Sequence, residues 1–166
     1  MGKTLAAVIG AVAVTAVLGG ASLAAAGART AVSGTEHFQI MNTSATSNTA
    51  SIIGSGAFTA GGTTTGINSS SSKGTVKFPT GTFVITHSKG TGTQSFNPKT
   101  CLLRVNLKGT YTLGSGTGAY ANISGNGVYH LSILAVGAKS GGTCSHTLPP
   151  PTFQQVIQAS GPVSLH

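Results

Sequence analysis

The chain has 166 residues, of which 25 are glycine and only 6% are charged. This length suits one domain with a single core, and the abundance of Gly and Thr disfavours long helices, because Gly costs about 1 kcal/mol per helical position relative to Ala. Nine Lys and Arg residues oppose one acidic residue, Glu36. That balance excludes paired-carboxylate chemistry and leaves a hydrolytic triad a single possible acid.

The first 28 residues are predicted to be a secretory signal peptide. Lys3 supplies the positive start, an apolar stretch follows, and Ala26-Gly27-Ala28 provides the small-x-small pattern that precedes cleavage. We expect cleavage near Ala28/Arg29, so that residues 29–166 form the secreted domain. The alternative is an uncleaved N-terminal membrane anchor, because residues 4–28 carry no charge.

Export changes how the two cysteines are interpreted. Cys101 and Cys144 are the only pair in the sequence, and in an oxidising compartment we expect them to form a disulfide bond. On the chain-entropy model, closing a loop of this length stabilises the fold by about 4 kcal/mol. The alternative is a pair of thiols that binds metal or acts as a nucleophile.

Apolar and polar residues alternate in the first part of the domain, as they do in half-buried strands. This pattern predicts strands over residues 35–42 and 50–60, with Phe38 and Ile40 on one face of the first. The segment 61–73 is of low complexity and is predicted to be a loop.

A hairpin is predicted next, with strands over 75–78 and 82–87 around a Pro-Thr-Gly turn. Residues 88–100 are predicted to be a loop. The strand predicted for 102–112 alternates cleanly: the residues expected to point inward are Leu103, Val105 and Leu107, and those expected to point outward are Arg104, Asn106 and Lys108.

The glycine-rich stretch GSGTGAYANISGNGVYHLSILAV, residues 114–136, organises the rest of the chain. Its glycines are predicted to permit a strand reversal and then a sharp bend of the sheet, while Tyr120 packs onto the core; the structural glycines are Gly116, Gly118, Gly125 and Gly127. A long strand is predicted over 128–136, a loop over 137–152 and a closing strand over 153–159. The fold class predicted is all-β: a single antiparallel β-barrel of about eight strands.

The run GSGTGAYANISGNGVY resembles the GGTG-aromatic-small-small-G-x-G signature at the bend of allene-oxide-cyclase-like and dirigent-like barrels. The layout with FPTGTFVITH, FNPKTCL and FQQVIQASGPV is similar to that of secreted actinobacterial proteins of this barrel type, over roughly residues 35–163. The resemblance implies an eight-stranded antiparallel barrel and, from the plant members, a homotrimer. The chain departs from the signature at Gly114-Ser115-Gly116, where adjacent glycines are expected, and it lacks the acidic residues of dirigent-like chemistry. Only the structural glycines are therefore carried over.

Few residues are candidates for catalysis or metal binding. Glu36 and His37 could act together as an acid or base, although we expect Glu36 to be an exposed residue of the first strand. Three histidines on predicted strands, His37, His87 and His130, could converge on a metal inside a barrel. However, His37 points away from Phe38, so no catalytic residue, metal site or cofactor is assigned.

The leading hypothesis is a secreted, non-enzymatic β-barrel that binds a small apolar ligand or docks to an anionic cell-surface polymer. The net charge of +8 favours anionic partners, but the cations are scattered without interleaved aromatics, so no nucleic acid is expected. The alternatives are an isomerase or cyclase of the allene-oxide-cyclase type and a structural or adhesive module. Glu36 and a histidine sharing one pocket would favour the enzyme.

Overall fold

The computed structural model describes residues 31–66, 71–145 and 147–166. These form antiparallel strands and a one-turn 3₁₀ helix at Gly118–Tyr120. The strands are β1 Val32–Asn42, β2 Thr49–Gly56, β3 Ala60–Thr65, β4 Lys73–Phe78, β5 Gly81–His87, β6 Thr91–Asn97, β7 Leu102–Gly114, β8 Ser124–Val136, β9 Lys139–Ser140, β10 Thr143–Cys144 and β11 Thr152–Leu165. The predicted signal peptide and its anchor alternative lie outside the described residues. No helix in the described segments is long and apolar enough to cross a membrane.

Eight strands close into a barrel, which confirms the predicted fold class. Their order around the ring is β5-β4-β3-β2-β1-β11-β8-β7, and β5 pairs with β7 to complete it. β5 pairs with residues 111–114 of β7, whereas β6 pairs with residues 102–108 of the same strand. The first half of β7 therefore carries β6 as a ninth strand beside the ring.

The predicted inward faces are confirmed on β1 and β5, where Phe38, Ile40, Phe83 and Ile85 are buried. One end of the barrel is filled by rings that pack with their centroids 5.3–6.3 Å apart, within the range that aromatic pairs favour. We call this group the aromatic cluster: Phe38, Phe58, Phe78, Phe83 and Tyr120. As predicted, Tyr120 packs onto the core.

The predicted structural glycines lie in the reversal between β7 and β8 and at the start of β8. Gly118 has a φ of +58°, a conformation that L side chains rarely adopt. A Cβ on Gly127 would meet the carbonyl oxygen of Ser160 on β11 and the ring of Tyr111. Gly116 and Gly125 are likewise approached by backbone atoms.

Two of the predicted loops contain strands of the main sheet, so those boundaries were wrong. Residues 61–65 of the predicted loop 61–73 belong to β3, because backbone pairing to β2 and β4 requires no apolar side chain. The strand predicted for 50–60 ends instead at Gly56, whose φ of +137° turns the chain. The predicted loop 88–100 contains β6, in which every residue is exposed and no burial pattern marks the strand.

The last predicted loop, 137–152, contains the short hairpin of β9 and β10, which turns through Gly141 and Gly142 at positive φ. The closing strand is also longer than predicted: β11 continues past residue 159 to Leu165 and pairs with β1 along that whole length. Pro162 is tolerated there although it cannot donate a ladder hydrogen bond.

The predicted disulfide bond is confirmed. Cys101 and Cys144 are bonded across 43 residues of sequence, with their Cα atoms 5.4 Å apart. The bond ties the residue before β7 to β10, and so holds the β9–β10 hairpin against the sheet. A disulfide is consistent with an extracellular location.

Candidate functional site

A cavity of about 480 Å³ lies inside the barrel, on the other side of Phe38 from the rest of the aromatic cluster. Its volume falls within the range of roughly 300–1,000 Å³ that is usual for small-molecule sites. It is also about three times the ~150 Å³ cavity that accepts benzene. Its walls are mainly apolar and include Ile40, Ile85, Leu107, Leu131, Ile133 and Ile157.

Two tyrosines on neighbouring strands also line the cavity, and each lies opposite a glycine. Tyr111 of β7 pairs with Gly127 of β8, and Tyr129 of β8 pairs with Gly109 of β7. A Cβ on Gly109 would lie 2.6 Å from the Tyr129 ring, and one on Gly127 would lie 2.8 Å from the Tyr111 ring. The missing side chains therefore let each ring pack against the backbone of the facing strand.

A hydrogen-bonded group surrounds the carbonyl oxygen of Ser88, just after β5. The Tyr129 hydroxyl donates to it at 2.9 Å, and Nδ1 of His87 lies 3.1 Å from it. Because a carbonyl oxygen only accepts, His87 carries a proton on Nδ1 in this bond. The His87 ring also packs edge-on against Tyr129, with centroids 5.9 Å apart, so its orientation is fixed from two sides.

Two polar atoms at this cavity are buried without a hydrogen-bond partner: Nε2 of His87 and the hydroxyl of Tyr111. Burial, with a smaller contribution from the charge of Glu36, raises the pKa of Tyr111 to about 12. Burial also raises the pKa of Tyr129. Both hydroxyls therefore keep their protons at neutral pH, and that of Tyr129 donates to the Ser88 carbonyl.

Glu36 is fully buried, so the expectation of an exposed residue was wrong. Its position on β1 has the same parity as Phe38 and Ile40, which places all three side chains inside the barrel. One carboxylate oxygen accepts a hydrogen bond from the backbone N–H of Phe58 at 3.0 Å, and the other has no partner. Burial raises the pKa of Glu36 against the opposing effect of this hydrogen bond. Glu36 does not line the cavity.

The three candidate histidines do not meet. His37 and His130 lie on the outer face of the sheet, where both line a second depression of about 350 Å³, whereas His87 lies inside. The described residues contain no group of three or more side chains placed to hold a metal ion. Glu36 and His37 lie on opposite faces of β1. His87 lines the cavity, but Glu36 does not. The arrangement proposed for an isomerase or cyclase is therefore not assembled.

The sequence interpretation missed the polar end of the cavity. It treated His87 only as a possible metal ligand, and it did not consider Tyr111 and Tyr129. A signal was present, because Gly109 and Tyr111, like Gly127 and Tyr129, form Gly-x-Tyr pairs in adjacent strands. Recognising that the two pairs face each other required the register between β7 and β8.

Comparison of the chain with protein-family models, with curated proteins and with solved structures found no match. The resemblance to allene-oxide-cyclase-like and dirigent-like barrels, and the trimer that it implies, therefore stay predictions from the sequence.

Proposed function

We propose that this protein is a secreted, non-enzymatic β-barrel that binds a small apolar ligand in its interior. The observation that carries this proposal is the 480 Å³ cavity, whose walls are mainly apolar and include a few polar side chains. That combination is typical of small-molecule sites, where apolar surface supplies affinity and a few polar atoms fix orientation.

The contrast between the two ends of the barrel supports this function. The rings of the aromatic cluster fill one end, where Phe38, Phe78, Phe83 and Tyr120 are all buried, whereas the other end holds the cavity. Leu131 and Ala159 pack against that core and also line the cavity. An apolar ligand would remove such surface from water, at about 25 cal/mol per Å².

Secretion is part of the proposal. The disulfide between Cys101 and Cys144 suits an oxidising compartment, and the leader pattern of residues 1–28 predicts export. A closed barrel held by a disulfide would keep an apolar molecule out of water during extracellular transport.

The test is titration of residues 29–166 with the neutral fluorescent probe N-phenyl-1-naphthylamine. We expect saturable binding that Ile133→Trp reduces at least tenfold, because Ile133 lines the cavity and the larger ring would occupy it. The matched control is Leu134→Trp, at the adjacent outward position of β8, which is 39% exposed. This control should bind the probe like the unchanged protein.

Two results would contradict the proposal. Absence of saturable binding by the folded protein would remove interior ligand binding. Equal loss of binding in Ile133→Trp and Leu134→Trp, with both variants folded by circular dichroism, would place the probe outside the barrel.

A second candidate function, docking to an anionic cell-surface polymer, is favoured by the distribution of charge. The one side-chain carboxylate of the sequence, Glu36, is buried. By contrast, all the Lys and Arg side chains in the described part of the chain are exposed, including Arg104 and Lys108 on the outer face of β7. The exposed charged side chains there are therefore cationic, which favours association with polyanions.

A further inference from the structure

We propose that the depression between His37 and His130 on the outer face of the barrel binds an acidic sugar unit of an anionic polysaccharide, and binds it more tightly when the two imidazoles are protonated. This inference rests on the second candidate function, since it assigns a site and a chemical class to the polymer. We call this surface the histidine depression, and its outward-facing lining residues are His37, Gln39, Ile53, Ser55, His130, Gln158 and Ser160.

The register of the sheet places the two histidines on either side of β11. Ser160 of β11 pairs with His37 of β1, and Gln158 of β11 pairs with His130 of β8. Neighbouring strands are about 4.8 Å apart, so the strands that carry the histidines are about 10 Å apart. The volume of the depression, about 350 Å³, lies within the range of small-molecule sites. One sugar unit can therefore lie across β11 between the two imidazoles.

The charged side chains on the outer face are cationic throughout the part of the chain that the structure describes. Lys108 of β7 pairs directly with His130 and is exposed. Glu36 precedes His37 in the sequence, and its charge interacts with that imidazole, but its own side chain is buried on the inner face of β1. The outward-facing neighbours of the two histidines on β1, β2, β8 and β11 are uncharged. No carboxylate on this face therefore opposes an anion.

Protonation of the two histidines changes what the depression offers an anion. Histidine is the side chain that changes charge between pH 8 and pH 5. When neutral, each imidazole donates one hydrogen bond and accepts another; when protonated, it donates two and carries a positive charge. Both His37 and His130 are exposed, so they can take up protons without unfolding. The depression then holds two cationic groups beside the permanent charge of Lys108.

The uncharged lining residues favour a sugar as the rest of the ligand. The amide of Gln158 and the hydroxyls of Ser55 and Ser160 both donate and accept hydrogen bonds, as sugar hydroxyls require. Ile53, which is 57% exposed, offers an apolar surface to the C–H face of a sugar ring. The outward-facing lining includes no Phe, Tyr or Trp, the side chains on which the bases of single-stranded nucleic acids usually stack.

The experiment is calorimetric titration of residues 29–166 with dextran sulfate, whose sulfate esters stay ionised, at pH 8 and pH 5.5 and at constant ionic strength. We expect binding to be about fivefold tighter at pH 5.5, the effect of two exposed ion pairs. His37→Gln and His130→Gln should each reduce this gain to about twofold and change little at pH 8. The matched control is His166→Gln, an exposed histidine outside the depression, which should keep the fivefold gain.

Gln158→Ala tests the sugar contact separately from the charge. Because an amide does not titrate in this range, the variant should weaken binding by about threefold at both pH values. Circular dichroism of each variant at both pH values checks that it is folded. The same titrations with poly(U) compare the polysaccharide with a nucleic acid.

The outcomes separate this inference from the second candidate function. If the folded protein does not bind dextran sulfate at either pH, docking to anionic polymers itself is wrong. If binding is equally tight at both pH values, or if His37→Gln and His130→Gln keep the full gain, the protein docks to polyanions but the histidine depression is not the site. An unchanged affinity in Gln158→Ala, or binding of poly(U) with the same dependence on all three residues, would contradict the assignment to a polysaccharide.

Discussion

Glu36 is the one acidic residue of the sequence, and its side chain is buried where we expected it to be exposed. As the sole acid of a cationic chain it invites a catalytic role, yet its side chain is buried beside the turn between β2 and β3. There it accepts the N–H of Phe58, a backbone group that would otherwise need another partner. Glu36 therefore satisfies a buried backbone N–H. Removing its carboxylate from water costs free energy.

That desolvation predicts a pH dependence of stability. The pKa of Glu36 is raised above its ordinary value of 4.5, so the folded protein holds this proton more tightly than the unfolded chain does. The resulting stabilisation is complete below pH 4.5 and is lost as the pH rises through the folded-state pKa. Glu36→Gln cannot ionise and escapes this loss.

Urea denaturation at pH 4, 5, 6 and 7 provides the measurement. We expect the free energy of unfolding of Glu36→Gln, relative to that of the unchanged protein, to increase as the pH rises above 4.5 and to level off once the pH exceeds the folded-state pKa of Glu36. Titration of other groups affects both proteins and largely cancels. A difference that is constant with pH, or that decreases, would show that the pKa of Glu36 is not raised in the folded state.

At the scale of elements, the close contact between β8 and its neighbours depends on glycines that lack space for a side chain. Gly127 is enclosed by the Ser160 backbone on β11 and the Tyr111 ring on β7. Gly114, at the end of β7, has no atom within 4 Å of the position its Cβ would take, and its φ is not positive. Two glycines of one sequence stretch are thus under different constraints.

The substitutions Gly127→Ala and Gly114→Ala should therefore have different effects on stability. Gly127→Ala is expected to lower the free energy of unfolding by about 1–3 kcal/mol, because the added methyl must displace backbone or the Tyr111 ring. Gly114→Ala should leave stability unchanged or raise it by about 0.4–1 kcal/mol through the unfolded state. Urea denaturation of both variants is the measurement, and equal losses of stability would contradict the conclusion that Gly127, unlike Gly114, has no room for a side chain.

Over the whole molecule, barrel closure separates apolar interior from cationic exterior. Closure turns Phe38, Ile157 and their neighbours inward around the cavity, while Lys73, Arg104 and Lys108 face solvent. The interior would serve a ligand and the exterior an anionic surface, and among the cations of the described residues only Lys89 also lines the cavity. The two candidate functions can be tested independently.

Retention on immobilised dextran sulfate tests the exterior. We expect the protein to bind at about 50 mM NaCl and to elute as the salt concentration rises, because screening shortens the range of exposed charges to about 10 Å at 0.1 M. The variant Arg104→Glu/Lys108→Glu should elute at lower salt than the control Lys73→Glu/Lys139→Glu. Arg104 and Lys108 are four residues apart on one strand, so they lie about 13 Å apart on a single face and can contact the same polymer chain. Retention that does not change with salt would contradict electrostatic docking.

Several elements could be predicted because their evidence lies within a few neighbouring residues. The alternation at Phe38 and Ile40 and at Leu103, Val105 and Leu107 identified strands and their inward faces. In contrast, β3 and β6 were missed, because β3 is built of Gly and Thr and every residue of β6 is exposed. Backbone pairing requires no particular side chains, so such strands can be identified only from their hydrogen bonds to neighbouring strands in the structure.

The sequence by itself determined the all-β class, the antiparallel barrel and the bond between Cys101 and Cys144, since these follow from side-chain periodicity, glycine content and a cysteine count of two. Only the tertiary structure decided that Glu36 is buried, that His87 lies apart from His37 and His130, and that His87 faces Tyr111 across the closing strand pair. The reason is register. Local alternation states which side chains share a face of one strand, but which residues of distant strands become neighbours depends on how the ring closes.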